Sequence, residues 1–408
     1  MTEVIVYVFL FLALFFEVFI VLSFFEKDAR RRRHITTHTT YPSVSIIVPC
    51  FNEEDTVAAT VESLLNLEYP KEKITLVLVN DGSTDNTRAV VDQYKDHPQV
   101  KLIHKENGGK HTALNAGIQE TKSSLVGCLD ADSFVEPDAL LRIVPQFDNE
   151  RIGAVTASIS VYTPRTILEH MQQAEYLFGA MLRHVLATVN GLHVTPGPFT
   201  IFRRNVFQEV GLFRAAHNTE DMEIALRMQK GGWRIQNAPR ARVYTKVPKT
   251  VHGLIKQRVR WTTGFLRNSI DYRELFGNPR YGVLGLMVLP LAVLSVFSGI
   301  TLFLFFLFQT SISLWKFFIR ASEVPLSFTF QLPSFDVFFI PTNTLVFLAP
   351  AATAIALALI VGGARISKTK TRIGFQLIWY SILFSIIAPL WLMRAVIDVL
   401  LGVRRSWR

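Results

Sequence analysis

The sequence predicts an α/β domain with a mostly parallel sheet, joined at both ends to α-helical membrane segments. Half of the 408 residues are hydrophobic, and Phe alone accounts for 32 of them. The long apolar runs lie near the two ends, whereas the middle alternates strand-length apolar runs with helix-length segments. This distribution excludes a single water-soluble globule and also a disordered chain.

The first predicted element is a membrane-spanning helix over residues 4–25. The run is apolar almost throughout and, at about 1.5 Å per residue, is long enough to cross about 30 Å of hydrocarbon. Basic residues follow it at Lys27 and at 30–33, whereas a cleaved signal peptide has its basic residues before the run. We therefore expect the N-terminus outside and residue 34 onward in the cytoplasm. Glu17, inside the run, is expected to pair with or face protein, and contact with a translocated substrate is the alternative.

Four apolar runs in the middle of the chain predict β-strands. They cover residues 44–49, 74–79, 100–104 and 125–129. Turn residues and helix-period segments, such as 87–94 and 113–120, follow them. Strands that are apolar on both faces and alternate with helices form a largely parallel sheet covered on both sides.

Each of these strands is followed by a polar cluster, which predicts a ligand site at the carboxyl edge of the sheet. The clusters are Asn52-Glu53-Glu54, Asn80-Asp81-Gly82-Ser83, Asn107-Gly108-Gly109-Lys110 and Asp130-Ala131-Asp132. No GxGxxG follows any strand, and Lys110 has no glycine five positions before it, so both common phosphate-binding turns are excluded. An Asp-x-Asp at a strand end suits Mg²⁺ or Mn²⁺ held with a diphosphate, although two turn or cap aspartates remain the alternative.

Three helix-period segments carry further candidates. Thr219-Glu220-Asp221 begins one of them, where N-capping by Asn218 or Thr219 is the alternative to a catalytic role. The segment 251–270 contains Gln257-Arg258-Val259-Arg260-Trp261 and also fits a basic helix lying at the membrane surface. The segment 166–189 has one apolar side and predicts either a core helix or an interfacial helix below the spans.

Three more apolar runs, at residues 284–308, 344–361 and 374–393, predict membrane spans. Between the first two, the segment 309–343 is predicted to be an outer loop with an interfacial stretch, because it contains Lys316, Arg320, Pro325 and Pro333. Arg365, Lys368, Lys370 and Arg372 predict an inner loop. Simple alternation sends the C-terminus outward, whereas Arg404, Arg405 and Arg408 favour the inner side, and the sequence leaves both open.

The charge and cysteine content narrow the possible functions. The chain has 43 Lys and Arg against 33 Asp and Glu, a net charge of +10, and its basic residues cluster beside apolar runs. This pattern argues against a nucleic-acid partner and favours membrane topology, anionic lipids and phosphorylated substrates. Cys50 and Cys128, in apolar strands, are predicted to be buried reduced thiols.

Taken together, the motifs resemble the membrane-embedded, processive family 2 glycosyltransferases, which include cellulose, chitin, hyaluronan and poly-N-acetylglucosamine synthases. The matching stretches are SIIVPCFNEE, NDGSTDNT, NGGKHTALNAG, LDAD, TED and QRVRW, in this order across residues 45–261. The resemblance implies a GT-A-type nucleotide-sugar-binding domain fused to an α-helical transmembrane region with interfacial amphipathic helices. It points most closely to the poly-N-acetylglucosamine synthases.

The resemblance also implies a role for each motif. It implies that the nucleotide is bound by Phe51, Asn52, Glu53, Asp81, Lys110 and Asp130. It implies that the metal is bound by Asp132. Asp221 is implied as the general base with Glu220 beside it. Gln257, Arg258 and Arg260 are implied at the pyrophosphate, whereas Trp261, with Gly197 and Pro198, is implied at the acceptor.

The predicted protein is thus an inverting UDP-sugar-dependent hexosyltransferase that extends a β-linked polysaccharide with N-acetylglucosamine or glucose and translocates it outward through its own spans. We expect Mg²⁺ or Mn²⁺ as cofactor, a multi-pass location in the plasma membrane, and a small membrane subunit or a second copy as possible partner. The predicted parts are an N-terminal span with its basic flank (1–33), a cytoplasmic catalytic domain (34–250), an interfacial helix (251–282) and a C-terminal membrane region (283–408). A lipid glycosyltransferase adding one sugar to ceramide or diacylglycerol is the nearest alternative, and a catalytically silent export subunit ranks below it.

Overall fold

The computed structural model describes residues 2–31, 41–323, 344–369 and 374–403. The strands are β1 (Val44–Cys50), β2 (Ile74–Asp81), β3 (Val100–Lys105), β4 (Leu125–Cys128), β5 (Ser133–Val135), β6 (Ile152–Val161), β7 (Thr200–Arg203) and β8 (Arg234–Thr245). The helices of the catalytic region are α2 (Val57–Leu65), α3 (Thr87–Asp92), α4 (Lys110–Gln119), α5 (Ala139–Ile143), α6 (Ile167–Thr188), α7 (Arg204–Val210), α8 (Glu220–Lys230) and α9 (Val251–Asp271). The remaining helices are α1 (Thr2–Arg31), α10 (Leu289–Glu323), α11 (Thr344–Ser367), α12 (Phe375–Trp379) and α13 (Ser385–Leu400).

The eight strands form one sheet in the order β3-β2-β1-β4-β7-β6-β8-β5. The predicted strands β1 to β4 pair in parallel, so their carboxyl ends meet at one edge as expected. Beyond β4 the sheet is mixed, because β7 runs antiparallel to both β4 and β6, and β5 runs antiparallel to β8. The predicted α/β fold with a mostly parallel sheet is confirmed, and the parallel half carries the four polar clusters.

Both faces of the sheet are covered, as continuous apolar strands predict. Along β1, Ile46 and Val48 belong to the layer that includes α2 and α5, whereas Ile47 belongs to the opposite layer with α4, α6 and α8. This second layer is continuous with membrane residues such as Ile20 of α1 and Leu359 of α11. Cys50 and Cys128 are buried and free, as predicted.

Helix α6 packs between the sheet and the long apolar helices, so it is a core helix, one of the two alternatives for the segment 166–189, and an interfacial position below the spans stays a prediction. It begins with a capping box in which Thr166 accepts from the Glu169 backbone N–H and the Glu169 side chain accepts in return. One side packs on β6 and β8, and the other packs on α1, α11 and α12. Gly363 of α11 lies directly against the Leu177 carbonyl of α6, a position where a Cβ would collide with backbone.

Among the described residues, four helices are long and apolar enough to cross a membrane: Val6–Phe25, Leu284–Ser322, Phe347–Ser367 and Leu377–Leu400. Two of them contain a π-helical turn, at Leu284–Val288 and Tyr380–Phe384. Glu17 of α1 lines a small cavity with apolar side chains of α6 and α11, so it faces protein as expected.

The predicted outer loop is wrong over residues 309–323, where α10 continues as helix to Glu323. The physical reason is that no Gly or Pro interrupts residues 300–323, so Lys316 and Arg320 are helical. Several residues used to predict topology lie outside the described residues: Arg32, Arg33, Pro325, Pro333, Lys370, Arg372, Arg404, Arg405 and Arg408.

Candidate active site

The loops after β1 and β2 are tied together by hydrogen bonds at the carboxyl edge. The Asn52 backbone N–H donates to Ser83 Oγ at 3.1 Å, and Asn52 Oδ1 accepts from the Thr84 N–H at 2.9 Å. The Glu53 N–H donates to Thr87 Oγ1 at 2.7 Å. Asn52 has φ of 54°, a left-handed conformation that asparagine tolerates better than most residues. These bonds join the two loops into one wall of the site. Phe51, the first residue after β1, belongs to this wall.

Asp81, the last residue of β2, holds the glycine turn that follows β3. Its two carboxylate oxygens accept from the backbone N–H groups of Gly108 and Gly109 at 3.1 and 2.9 Å. Lys105 Nζ lies 2.5 Å from Oδ1. Since Asp81 is buried, these contacts compensate its charge. The carboxylate thereby sets the backbone that leads into Lys110, the first residue of α4.

Lys110 lies at the centre of an acidic cluster built from two distant parts of the chain. Its Nζ is 2.5 Å from Asp130 Oδ1, after β4, and 3.4 Å from Glu220 Oε1, at the start of α8. Burial alone would lower the pKa of Lys110, but the carboxylates of Asp130, Glu220 and Asp221 outweigh it and hold that pKa above its ordinary value. Lys110 therefore stays charged and neutralises part of a site with excess negative charge.

Gly197 forms a wall of this cluster, because a Cβ there would lie 2.6 Å from Asp130 Oδ2 and 2.7 Å from Lys110 Nζ. The turn is held by Thr200, whose Oγ1 donates to the Pro196 carbonyl at 2.7 Å. Phe199 is fully buried with φ of 59°, which is unusual for an aromatic residue. The predicted acceptor residues Gly197 and Pro198 are thus brought against the Lys110–Asp130 pair.

Asp132 lies just beyond Asp130 and accepts from Ser133 Oγ at 3.0 Å and Thr245 Oγ1 at 3.3 Å. Burial, with the negative charges of Asp130 and Glu53, raises the pKa of Asp132 to about 6. A carboxylate that is disfavoured in this way gains most from a bound cation.

The donor set fits a divalent ion that shares its coordination with a diphosphate. Within the described ranges, no group of three or more His, Cys, Asp or Glu side chains surrounds one metal position. Mg²⁺ commonly takes only one or two protein carboxylates and completes its shell with phosphate and water oxygens. Asp132 and the neighbouring Asp130 match that requirement without a complete protein cage.

Asp221 is the second residue of α8, beside Glu220. Its backbone carbonyl accepts from the Thr195 N–H at 3.0 Å and from Thr195 Oγ1 at 2.7 Å. Burial and the Glu220 charge raise the pKa of Asp221 to about 6, while Lys110 and Arg260 act in the opposite direction. A carboxylate with this pKa is ionised at neutral pH yet basic enough to accept a proton.

The chain enters α8 through a left-handed turn of three non-glycine residues. Ala216, His217 and Asn218 have φ values of 40°, 56° and 63°. Left-handed backbone costs about 1–2 kcal/mol per such residue, so neighbouring contacts must hold it. Thr219 follows at the N-cap position, but its hydroxyl donates to the Ala216 carbonyl at 3.0 Å and accepts from Asn268 at 2.9 Å. Side-chain capping of α8 by Thr219 is therefore wrong.

Arg260, on α9, faces the acidic cluster. The charges that act on it are those of Glu220, Asp221, Asp130 and Asp132, which oppose the lowering of its pKa by burial. Its Nη1 also lies 3.4 Å from the Asn218 carbonyl. Of the residues predicted at the pyrophosphate, Arg260 is the one that the structure brings to the site.

Arg258, only two residues earlier, faces α6 instead. Its Nη2 donates to Glu175 Oε2 at 2.7 Å, and its guanidinium carbon lies 4.2 Å from the centre of the Trp261 ring. One face of Trp261 is thus used for a cation–π contact, while the side chain keeps 38 % of its surface exposed. Gln257 Oε1 is buried without a hydrogen bond to any described residue. No contact brings Arg258 or Gln257 to the Lys110 cluster within the described ranges.

Sequence reasoning missed three residues that support the site. Glu175 pairs with Arg258, Thr195 holds the Asp221 carbonyl, and Asn268 holds Thr219. A signal existed for Glu175, because it is an acid within the mainly apolar helix segment 166–189. Thr195 and Asn268 are ordinary residues in sequence, and only tertiary contacts reveal them.

Comparison with known proteins identifies the domain and its relatives. Residues 45–211 match the glycosyl transferase family 2 model. Over 386 residues the chain is 28 % identical to a poly-β-1,6-N-acetyl-D-glucosamine synthase of Staphylococcus epidermidis, covering 93 % of this chain and 89 % of that protein. The corresponding synthase of Staphylococcus aureus strain MSSA476 is 34 % identical over 225 residues, which is 54 % of each chain.

A solved structure shares the fold across nearly the whole chain. It is a mannosyltransferase from Pyrobaculum calidifontis in complex with GDP-Man and Mn²⁺, with a TM-score of 0.60 and 19 % identity, covering 97 % of this chain and 99 % of that one. This match includes the apolar helices as well as the sheet domain, so the predicted fusion of the two is confirmed. The chain thus contains a glycosyl transferase family 2 domain at residues 45–211, carries long apolar helices beside it, and is similar over most of its length to a poly-β-1,6-N-acetylglucosamine synthase.

Proposed function

We propose that the protein transfers N-acetylglucosamine from UDP-N-acetylglucosamine to a growing β-linked polysaccharide at the inner face of the membrane. The observation that carries this proposal is the convergence of Lys110, Arg260 and Asp221 on one site at the carboxyl edge of the parallel strands. The choice of sugar and of a polymer product follows the relatives named above, one of which aligns over 93 % of this chain.

Donor binding is assigned to the wall formed by the first two loops and the glycine turn. Phe51, Asn52 and Glu53 supply the surface for uridine, and Asp81 supports it by fixing the Gly108-Gly109 turn. The diphosphate would lie between the cations of Lys110 and Arg260, with Asp130 toward the ribose or the donor sugar. The two cations would offset the charge that develops on the departing diphosphate.

Asp132, with Asp130 beside it, would hold a divalent cation. Such an ion, Mg²⁺ or Mn²⁺, supplies Lewis-acid stabilisation of the diphosphate when bound. The raised pKa of Asp132, caused by burial and the charges of Asp130 and Glu53, supports cation binding at this position.

Asp221 is assigned as general base, with Glu220 as the acid that helps to raise its pKa. Its carboxylate takes the proton of the acceptor hydroxyl while that oxygen forms a bond to the anomeric carbon. The bond from this carbon to the diphosphate breaks, and UDP leaves with the electron pair. Because attack comes from the side opposite the leaving group, an α-linked donor gives a β-glycoside.

The acceptor chain would rest against Gly197, Pro198 and the exposed part of Trp261. An aromatic face suits the apolar side of a sugar ring. The Trp261 ring is held on one face by Arg258 through a cation–π contact at 4.2 Å. We therefore assign Arg258 to orienting Trp261 and Arg260 to the pyrophosphate, whereas Gln257 keeps no assigned role.

The cytoplasmic location of the catalytic domain is also a proposal. It is supported by the four candidate spans and by the basic residues Lys27 and 30–33 after the first of them. A location in the plasma membrane with a glycan passing outward fits this arrangement. The second candidate function, transfer of a single sugar to a lipid, is favoured by the close packing of α6 on the membrane helices.

The test is product analysis with the purified full chain in lipid nanodiscs, given UDP-N-acetylglucosamine or UDP-glucose with Mg²⁺ or Mn²⁺. We expect UDP release with UDP-N-acetylglucosamine and a water-soluble product of many sugars that a β-N-acetylglucosamine-specific hydrolase degrades. A product that partitions wholly into organic solvent as one sugar on a lipid contradicts the polymer proposal. The same measurements on Asp221→Asn give the UDP release and product formation that do not depend on the proposed base, for both donors.

A further inference from the structure

The part of α9 from Arg260 onward, with Tyr272 after it, contacts the residues that lead into α8 and the first turn of α8. The residues that make these contacts are Arg260, Gly264, Asn268 and Tyr272, each four positions after the last, which places them in one row along the helix. Arg260 faces Glu220 and Asp221, as described above. The other three are buried; Gly264 and Asn268 contact Thr219, which precedes α8, and Tyr272 contacts Glu223 in its first turn.

Two hydrogen bonds join the helices at positions one turn apart on each. Asn268 Nδ2 donates to Thr219 Oγ1 at 2.9 Å, and Tyr272 Oη donates to Glu223 Oε1 at 2.5 Å. The second bond is reinforced by Arg227, whose Nη2 donates to Glu223 Oε2 at 2.8 Å. The first bond holds the residue that directly precedes Glu220 and Asp221, whereas the second holds Glu223, which follows them in the first turn of α8.

The helices approach most closely at Gly264. A Cβ on Gly264 would lie 2.9 Å from the Thr219 Cβ, and closer still to its Oγ1 and Cγ2. A glycine is therefore required for Thr219 to reach its observed position. Asn268 is completely buried, so its bond to Thr219 is protected from exchange with water.

Thr219 in turn controls the position of the two acids that follow it. Its carbonyl accepts from the backbone N–H groups of Met222 and Glu223, the first hydrogen bonds of α8. The left-handed turn at residues 216–218 directly precedes Thr219. This turn also contacts α9, because His217 Nε2 lies 2.9 Å from Asp271 Oδ2. A shift of Thr219 would therefore move Glu220 and Asp221 relative to Arg260 and Trp261.

We infer that Asn268 and Gly264 are positioning residues that hold Asp221 in register with Arg260 and Trp261 by fixing Thr219. Neither residue contacts substrate in this scheme. Helix α9 itself carries Arg260 and Trp261, and through the contacts of Gly264 and Asn268 with Thr219 it also fixes the position of Asp221. This inference rests on the proposed role of Asp221.

The experiment compares Asn268→Leu with Tyr272→Phe, each made in the parent chain and in Asp221→Asn. Both substitutions remove one hydrogen bond between α9 and α8 and keep most of the side-chain volume, so Tyr272→Phe is the matched control. The measurements are kcat and KM for the sugar donor, the dissociation constant for UDP, and the melting temperature of each preparation.

We expect Asn268→Leu to lower kcat about tenfold in the parent while UDP affinity changes less than twofold, because a displaced base slows the chemical step. In Asp221→Asn the same change should alter the residual rate less than twofold, since no base remains to be positioned. Tyr272→Phe should keep kcat within twofold in both backgrounds. Equal slowing of parent and Asp221→Asn by Asn268→Leu, or equal slowing of the parent by the two α9 variants, overturns the inference.

Gly264→Ala keeps the inference testable if Asn268→Leu fails to fold. The added Cβ displaces Thr219, so we expect Gly264→Ala to lower kcat. In the double variant Gly264→Ala/Thr219→Ala, the loss of kcat should be smaller than the product of the losses in the two single variants. If the kcat loss of the double variant equals the product of the two single losses, the two residues act independently, and this contradicts a shared contact between Gly264 and Thr219. Parent-like transfer by Asp221→Asn would instead contradict the base assigned under the proposed function, which separates the two failures.

Discussion

Two arginines of α9 lie two residues apart and have different environments. Arg260 is surrounded by the carboxylates of the acidic cluster, whereas Arg258 is almost fully buried against Glu175 of α6 and the ring of Trp261. Residues two apart point about 200° away from each other on a helix, so one helix can serve both regions. One face of α9 thus belongs to the proposed chemistry, and the other packs against α6.

The largest expected effect concerns the base on the catalytic side of this comparison. Asp221→Asn should lower kcat by about 10² or more while UDP affinity stays near the parent value, because an amide cannot accept the proton. The control is Asp138→Asn, which removes a half-buried carboxylate that pairs with Arg142 at 3.0 Å. Turnover near the parent rate in Asp221→Asn contradicts the assigned base.

Asp132→Asn should lower turnover on the order of 10² and raise the Mn²⁺ concentration needed for half-maximal activity. An amide still accepts the hydrogen bonds from Ser133 and Thr245 but lacks the charge that holds a cation. The measurement is activity against metal concentration after chelation. Full activity of the chelated parent contradicts a metal-dependent site and leaves Lys110 and Arg260 to offset the diphosphate charge.

Gly197→Ala should lower kcat about tenfold or more, because the added methyl displaces the Lys110–Asp130 pair that lies 2.6–2.8 Å from it. The matched control is Gly374→Ala, where an added Cβ meets no atom within 4 Å. If both variants run at the parent rate, the turn does not set the geometry of this pair.

The pH dependence should show an acid limb near pH 6. Asp221 must be ionised to act as base, and burial together with Glu220 raises its pKa to about 6, so the rate should fall about tenfold from pH 7 to pH 5. Asp132, whose pKa burial and Asp130 also raise to about 6, adds a metal-dependent part to the same limb. Saturating Mn²⁺ should remove that second part. A flat profile down to pH 5 contradicts both assignments.

The parallel half of the fold could be predicted because its signals are local. Apolar runs of strand length gave β1 to β4 within two residues at each end, and parallel pairing then placed Asp81 and Asp130 at one edge. The sequence predicts none of the strands β5 to β8; β5 and β7 have only three and four residues, which is too short for a reliable pattern, and polar residues and a Pro interrupt β8.

The finer arrangement of the site depends on contacts that spacing does not encode. The motif QRVRW offers two arginines, and the helix period says only that they point apart, not which one meets the acids. The left-handed turn at 216–218 contains no glycine, so its backbone could not be read from residue type. Likewise, Lys316 and Arg320 favour a loop at residues 309–323, whereas the absence of Gly and Pro there lets α10 continue as helix.

The most direct test of the account is the affinity for UDP and for uridine of Arg260→Ala and Arg258→Ala, measured by titration calorimetry on the full chain. We predict that Arg260→Ala weakens UDP binding about tenfold and leaves uridine binding unchanged, because it removes a cation at the diphosphate. Arg258→Ala should keep both affinities and lower the melting temperature, since it leaves Glu175 partly buried without its partner. Equal loss of UDP affinity in the two variants, or a loss confined to Arg258→Ala, contradicts the division of α9 into a catalytic and a packing face.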